Sequence, residues 1–248
     1  MSWRTGFALI NQYTANNQWQ QAVETGKKYI KKYPSNYYIG LKYAKALCET
    51  GQYQPCISLL NKMQVLPNEG SYAGRAVYRA ANLYQAMEQL SRKNYRQVMR
   101  NVEASKEWPE NLGVGKPYDD MIDSRLEDYL EAKALTGQGD NQKAATLLSS
   151  VAGYKTSRSR FGSGNLLTAL ALRELGKEVE ADRMVASWET DFPENRITQW
   201  CAAVYRGEME KASGMLKSRN EQADTTPWET SFRDSNFDLI VRLFSTAD

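Results

Sequence analysis

The sequence predicts an all-α chain, a right-handed α-solenoid of about six helix pairs with a C-terminal capping helix. Three observations predict it. A proline-centred stop recurs along the chain. A glycine-centred turn recurs upstream of it, with a small residue five positions on. The segments between carry apolar residues at helical spacing.

The stop reads Tyr33-Pro34-Ser35-Asn36, Trp108-Pro109-Glu110-Asn111 and Phe192-Pro193-Glu194-Asn195, with Leu66-Pro67-Asn68-Glu69 as a weaker copy. Its prolines are 33, 42 and 84 residues apart. The residue before proline is pushed out of the helical region, so a helix ends there. The Ser, Asn or Glu that follows suits the start of the next helix. The turn is clearest at Gly51, Gly139, Gly176 and Gly207, and degenerate at Asn17 and Lys93. Glycine takes the left-handed conformation at a helix end at low cost. The small residues that follow, Ala22, Cys56, Val98, Ala144, Ala181 and Ala212, allow close helix approach; they are 34, 42, 46, 37 and 31 residues apart.

In chain order, unit 3–36 holds helices 3–16 and 19–33 around Asn17 and stops at Pro34. Unit 37–69 holds helices 37–50 and 54–65 around Gly51 and stops at Pro67. Unit 71–110 holds helices 71–92 and 95–107 around Lys93 and stops at Pro109. Unit 120–153 holds helices 120–137 and 141–152 around Gly139. Unit 162–195 holds helices 162–175 and 178–191 around Gly176 and stops at Pro193. Unit 196–220 holds helices 196–206 and 208–219 around Gly207. A cap at 227–248 is expected, with Phe237, Ile240, Val241 and Phe244 at helical spacing; solenoid ends expose an apolar face unless capped. All of 1–248 reads as a single repeat domain. Between units three and four lies Asn111-Leu112-Gly113-Val114-Gly115-Lys116-Pro117-Tyr118. Its Gly-x-Gly-Lys run is not a phosphate loop: it follows a helix, lacks the required spacing, and proline follows the lysine. Lys116 and Tyr118 are its candidate partner contacts.

A turn, a close-packing alanine and a terminal proline at a period near 34 resemble the tetratricopeptide repeat (TPR). Ala169, Gly176, Ala181, Trp188 and Pro193 carry the pattern most clearly, and Gly40, Ala44, Gly51, Tyr53, Cys56 and Pro67 carry it in unit two. The stretched spacings of 42 and 46 imply longer helices or an inserted loop in mid-chain. A narrower resemblance rests on Trp108 to Asp120, Arg125 to Leu130, Asn165 to Gly176 and Gln199 to Gly207. These segments are similar to the C-terminal TPR region of a bacterial family of unknown function. Its long members carry an N-terminal galactose-mutarotase-like, β-rich domain. The resemblance implies a cut-out or stand-alone relative of such a protein, and no catalytic residue.

Composition narrows the chemistry. The chain has no histidine, which removes Ser-His-Asp and Cys-His pairs and every His-containing zinc site. Cys48, Cys56 and Cys201 are an odd set with no close spacing and suit free thiols in a reducing compartment. Net charge is +3, from 32 basic and 29 acidic residues, too balanced to indicate a nucleic-acid binder. Lys27, Lys28, Lys31 and Lys32 read as a solvated helix face. Asp119, Asp120 and Asp123 read as helix-start acids that match the dipole and not as a glycosidase pair. No apolar run is long enough to span a membrane, and no signal-peptide core is present, so a cytoplasmic location is expected.

In a solenoid of this type the first helix of each pair lines the concave groove. The groove-facing positions are Asn11, Tyr38, Leu41, Lys45, Leu83, Met87, Tyr129, Lys133, Leu166 and Arg173. The candidate binding residues among them are Asn11, Tyr38, Lys45, Met87, Tyr129, Lys133 and Arg173. An apolar surface with cations suits an extended peptide that carries an acidic residue or a C-terminal carboxylate. The expected function is a non-catalytic protein- or peptide-binding scaffold without cofactor or metal. Its partner is a protein, a peptide or an adjacent domain of the same polypeptide, with neither nucleic acid nor membrane, and self-association is compatible with it. The alternative is a structural or carbohydrate-associated module of a longer bacterial protein.

Overall fold

The structure, a computed structural model, describes residues 2–67, 72–154, 161–220, 234 and 236–245. Among them it is all-helical, with no strand. The helices are α1 Trp3–Ala15, α2 Trp19–Lys32, α3 Tyr37–Glu49, α4 Tyr53–Lys62, α5 Ala73–Ser91, α6 Tyr95–Lys106, α7 Arg125–Gln138, α8 Asn141–Ala152, α9 Gly164–Glu174, α10 Glu178–Asp191, α11 Arg196–Tyr205, α12 Met209–Asn220 and α13 Phe237–Ser245. Two short 3-10 turns, Glu110–Leu112 and Asp119–Met121, lie between α6 and α7. No described helix is long and apolar enough to cross a membrane.

One turn recurs between α1 and α2, α3 and α4, α5 and α6, α7 and α8, α9 and α10, and α11 and α12. Its central residue has positive φ: Asn17 (55°), Gly51 (74°), Lys93 (58°), Gly139 (85°), Gly176 (75°) and Gly207 (77°). The amide after it donates to the carbonyl five residues back, from Gln18 to Tyr13 (2.8 Å), Gln52 to Leu47 (2.8 Å), Asn94 to Gln89 (2.9 Å), Asp140 to Leu135 (3.0 Å), Lys177 to Leu172 (2.9 Å) and Glu208 to Ala203 (2.9 Å). The central amide donates three residues back, as from Gly51 to Cys48 and from Lys93 to Leu90. These paired bonds form the Schellman motif, which satisfies carbonyls that a helix end would otherwise leave bare. Five residues beyond each central residue, Ala22, Cys56, Val98, Ala144, Ala181 and Ala212 are all buried, at 0–2% exposure.

Lys93 alone puts a long side chain in the left-handed region, where a Cβ costs roughly 1–2 kcal/mol per residue. Lys93→Gly therefore raises stability by about 1 kcal/mol, since part of that gain is lost to the entropy of the unfolded glycine. Thermal melting should rise by ~2–4 °C for a chain of this size. A variant that melts at or below the parent temperature would contradict this account of the turn.

The chain's contacts fall into two units. Unit 1 comprises Met1–Ala86 and Arg100–Ile122, and unit 2 comprises Met87–Met99 and Asp123–Asp248. α5 and α6 thus divide, with 73–86 and 100–106 in unit 1 and 87–91 and 95–99 in unit 2. In unit 1, α2 packs on α1 and α3, α4 on α3, and α1 directly on α3. In unit 2, each helix from α7 to α12 packs on the next, α9 also touching α7 and α11. Within both units, then, alternate helices meet as well as neighbours.

The proline stops behave differently from one another. Asn36 caps α3 by accepting the Ile39 amide at 3.1 Å. Asn195 caps α11 by accepting the Thr198 amide at 3.0 Å. Asn111, at the same place in its copy, starts no helix. Its Nδ2 donates to the carbonyls of Leu60 (2.9 Å) and Met63 (2.8 Å), and its own carbonyl accepts the Val65 amide at 2.8 Å. It ties the end of α4 to the connector. Gly113 follows with φ 73°, and a Cβ there would crowd the Val65 carbonyl. The weaker copy at Pro67 runs into residues outside the described set from Asn68 on.

Three expectations need correction. α7 begins at Arg125 and not at 120, because Asp119 and Asp120 lie in a separate 3-10 turn. Those two acids therefore do not face the start of α7. Asp123 does: its Oδ1 accepts the Arg125 amide at 3.1 Å, and the same carboxylate takes the Arg125 guanidinium at 2.9 and 2.7 Å. The cysteines, well separated in sequence, include two spatial neighbours across the α3–α4 turn: the Cys56 thiol, which donates to the Ala44 carbonyl at 3.1 Å, lies close enough to Cys48 to be pushed up by it. All three thiols are free and buried. Of the expected cap, α13 is helical and buries Phe237 and Ile240, while 227–233, 235 and 246–248 lie outside the described residues.

Candidate interaction surface

In unit 1, the α1–α3 face is built at period 3.6 from two capped helices. Ser2 Oγ accepts the Thr5 amide at 3.4 Å and opens α1; Asn36 opens α3. Gly6 and Ile10 are buried beneath α1, and Gly6 has no Cβ because the Tyr29 ring fills that space. That register leaves Trp3, Phe7 and Asn11 side by side on one row of α1, only partly buried. On α3 the corresponding row is Tyr38, Lys42 and Lys45.

The two rows meet as a ledge of rings. Tyr38 is 47% exposed. Trp3 stacks on it with centroids 5.9 Å apart, Phe7 meets it edge-on at 6.3 Å, and Tyr37 stacks on it at 4.3 Å. The Arg4 guanidinium lies 4.9 Å from the Trp3 centroid, and Lys42 Nζ lies 5.8 Å from that of Phe7. Cations over ring faces are attracted by the ring quadrupole. Lys45, farther along, pairs with Glu49 one turn on. Arg4, Trp3 and Lys42 did not stand out in the sequence. Their signal is the i, i+4 spacing on two helices, which gains meaning only once those helices are adjacent.

In unit 2, the structure gathers Tyr129 and Lys133 on Glu174 and sets Arg173, the residue before it, on Tyr205. The Tyr129 hydroxyl donates to Glu174 Oε1 at 2.5 Å, and Lys133 Nζ reaches both Glu174 oxygens at 3.3 Å. Burial, then the Glu174 carboxylate, push the Tyr129 phenol far above its usual range. Arg173 donates to the Tyr205 carbonyl at 3.0 Å and stacks over that ring at 4.9 Å. The Tyr205 hydroxyl donates to Asp182 at 2.8 Å. Burial first, and Asp182 second, push its phenol up to about 12. Arg206 and Glu189 form a two-point pair at 2.7 and 2.6 Å. These polar groups satisfy one another between helices.

Several groove assignments change accordingly. Met87 is 3% exposed, and Leu83 and Leu166 are 0% exposed, so their side chains are core. Tyr129, at 7%, is nearly as buried. Helical spacing identifies an apolar row but not which neighbour covers it. Leu41 is partly buried and packs near Gly74. In the connector, Lys116 pairs with Asp119 at 2.7 Å and Tyr118 is 81% exposed. No group of three or more Cys, Asp or Glu among the described residues is placed to hold a metal ion.

Glu189 provides a pH test of the network. Its hydrogen bond to Arg206 holds the carboxyl below the ordinary glutamate range. A depressed folded pKa contributes stability above the unfolded value near 4.3, and that contribution is lost as pH falls through the folded pKa. The pair is half in solvent, so its worth is within ~1 kcal/mol. In denaturant titrations, Glu189→Gln should be slightly less stable than the parent at neutral pH, and the difference should vanish in acid. A gap that stays constant across that range would show that the pair is not the cause.

No protein-family model matches the chain, and neither does any curated protein or solved structure.

Proposed function

We propose that this chain is a non-catalytic protein- or peptide-binding scaffold built on TPR-like repeats stacked as a right-handed solenoid. The observation that carries the reading is the repeated joint. The same Schellman turn, with a buried residue five positions on, joins the two helices of each pair from α1–α2 to α11–α12. Repetition of one joint produces an array, in which each element rests on its neighbours and alternate helices form a continuous wall. The contacts of α1 with α3, and of α9 with α7 and α11, support that stacking.

A wall of this kind carries few titratable groups poised for chemistry. In unit 2 Tyr129, Tyr205 and Glu189 are tied to partners on neighbouring elements and Asp140 caps its own helix, which are structural uses. The α1–α3 ledge differs, because its rings and cations face solvent. Partner recognition through exposed aromatic and cationic side chains is how helical arrays use such surfaces.

A peptide-display selection on the immobilised full chain tests the reading. Retained peptides should share a motif and bind the full chain in solution by calorimetry. A selection from which no peptide binds in solution would overturn it.

A further inference from the structure

We infer that the α1–α3 ledge takes an acidic, extended segment of a partner polypeptide, its carboxylates on Arg4 and Lys42 and an apolar side chain on the Trp3–Tyr38 rings. This rests on the scaffold reading and adds the chemistry of the ligand and the place where it binds.

The first argument is charge. Residues 1–67 carry eight Lys and Arg against two acids, Glu24 and Glu49, whereas the rest of the chain is net acidic. The near-neutral total conceals this division. α1 has no acidic residue at all, and Glu49, the one acid of α3, sits at its far end beside Lys45. A partner's carboxylate approaching Arg4 or Lys42 therefore meets no acid from either helix of the ledge.

The second argument is the joint presence of charge and exposed rings. Elsewhere the cations are already engaged or lack open rings. The Arg75 guanidinium lies 4.5 Å from the Trp108 centroid, with Tyr72 beside it at 49% exposure, but Arg75 is buried and donates to the Ser105 carbonyl at 2.7 Å. Lys27, Lys28, Lys31 and Lys32 on α2 are exposed, but only Tyr33, a partly buried ring at the helix end, accompanies them. The connector exposes Tyr118 and Met121, at 81% and 72%, but its Lys116 is paired with Asp119. In unit 2 the Lys133 and Arg173 heads already serve Glu174 and the Tyr205 carbonyl. On the ledge, by contrast, Tyr38 at 47% exposure and the partly exposed Trp3 and Phe7 lie within reach of two cations. Rings supply contact area at low conformational cost, and cations over their edges supply direction and partner sign.

The test is fluorescence anisotropy of the full chain with a labelled short peptide of alternating Glu and Leu with one Phe. Its Gln-for-Glu analogue and a single-stranded oligo-dT serve as comparators. The acidic peptide should bind, the Gln analogue should bind about tenfold more weakly or not at all, and binding should weaken with added salt. The double variant Arg4→Gln/Lys42→Gln should weaken binding about tenfold or more, and Tyr38→Ala similarly. Tyr38→Phe, which keeps the ring, should bind as the parent does. Lys27→Gln/Lys28→Gln removes the same charge from α2 and should change affinity less than about threefold. Circular dichroism melting of each variant confirms an intact fold.

Equal losses from the α2 and ledge variants would overturn the inference in favour of diffuse charge. Oligo-dT binding with the same sensitivity to the ledge variants would overturn it in favour of a nucleic-acid surface. Peptides that emerge from the display selection without acids, and that ignore the ledge variants, would remove the inference and leave the scaffold standing. A selection without any binder would remove both.

Discussion

Replacing Arg125 by alanine lowers the stability of unit 2 by about 3–5 kcal/mol, the usual cost of taking one partner from a buried ion pair. Arg125 is 4% exposed at the first position of α7. Its Nε and Nη2 make a two-point contact with Asp123, at 2.9 and 2.7 Å. Its Nη1 donates to Asn165 at 2.9 Å and Thr168 at 3.2 Å, both on α9. Thr168 in turn donates to the Val151 carbonyl of α8 at 3.2 Å. The Tyr154 ring covers the guanidinium at 4.3 Å, and Gly164 has no Cβ because the same guanidinium occupies that space. One side chain thus joins the start of α7, the end of α8 and the start of α9. Lysine would keep the charge but not the planar fork, so Arg125→Lys should recover only part of the loss. Denaturant unfolding and hydrogen exchange of the α7–α9 amides check this. An alanine variant within ~1 kcal/mol of the parent would refute the hub assignment.

The second large effect is expected at Trp200. Trp200→Ala should cost about 3–5 kcal/mol, as for a large buried aromatic. The residue is 1% exposed and meets Phe237 edge-on at 5.3 Å and Phe244 at 6.4 Å, both from α13. It is therefore the floor on which the last helix rests. Trp200→Phe should cost much less, under about 2 kcal/mol, although a void remains. The reason lies in the indole N–H, which is buried without a hydrogen-bond partner. Phenylalanine removes that unsatisfied donor, and the relief offsets part of the lost packing. Differential scanning calorimetry of the two variants decides it. Equal destabilisation by Phe and Ala would mean that the indole N–H contributes after all.

The turns were the most legible part of the chain. Asn17 and Lys93 share the geometry of Gly51, Gly139, Gly176 and Gly207 although neither is glycine. Position relative to the two helices, and not residue type alone, identifies them. The helix limits were legible to within a few residues, except at α7, where a 3-10 turn replaces the expected first turn of helix. The candidate site was legible only in part. Tyr38 is exposed and Lys45 lies on the same row, but Met87 is in the core and Tyr129 is nearly so. The spatial pairing of Cys48 with Cys56, the Arg125 hub and the ledge contacts of Arg4 and Lys42 had no sequence signature.

The sequence by itself determined what is local: where each helix begins and ends, and which residue turns the chain between helices. These follow from backbone sterics and the bonding of helix ends, which act within about five residues. Only the tertiary structure decided which apolar rows are covered, which ions meet and which rings stay open to solvent. Burial and pairing depend on neighbours brought in from distant positions, as Arg125 meets Asn165 and Trp3 meets Tyr38. A one-dimensional pattern records the face of a helix but not what lies against it.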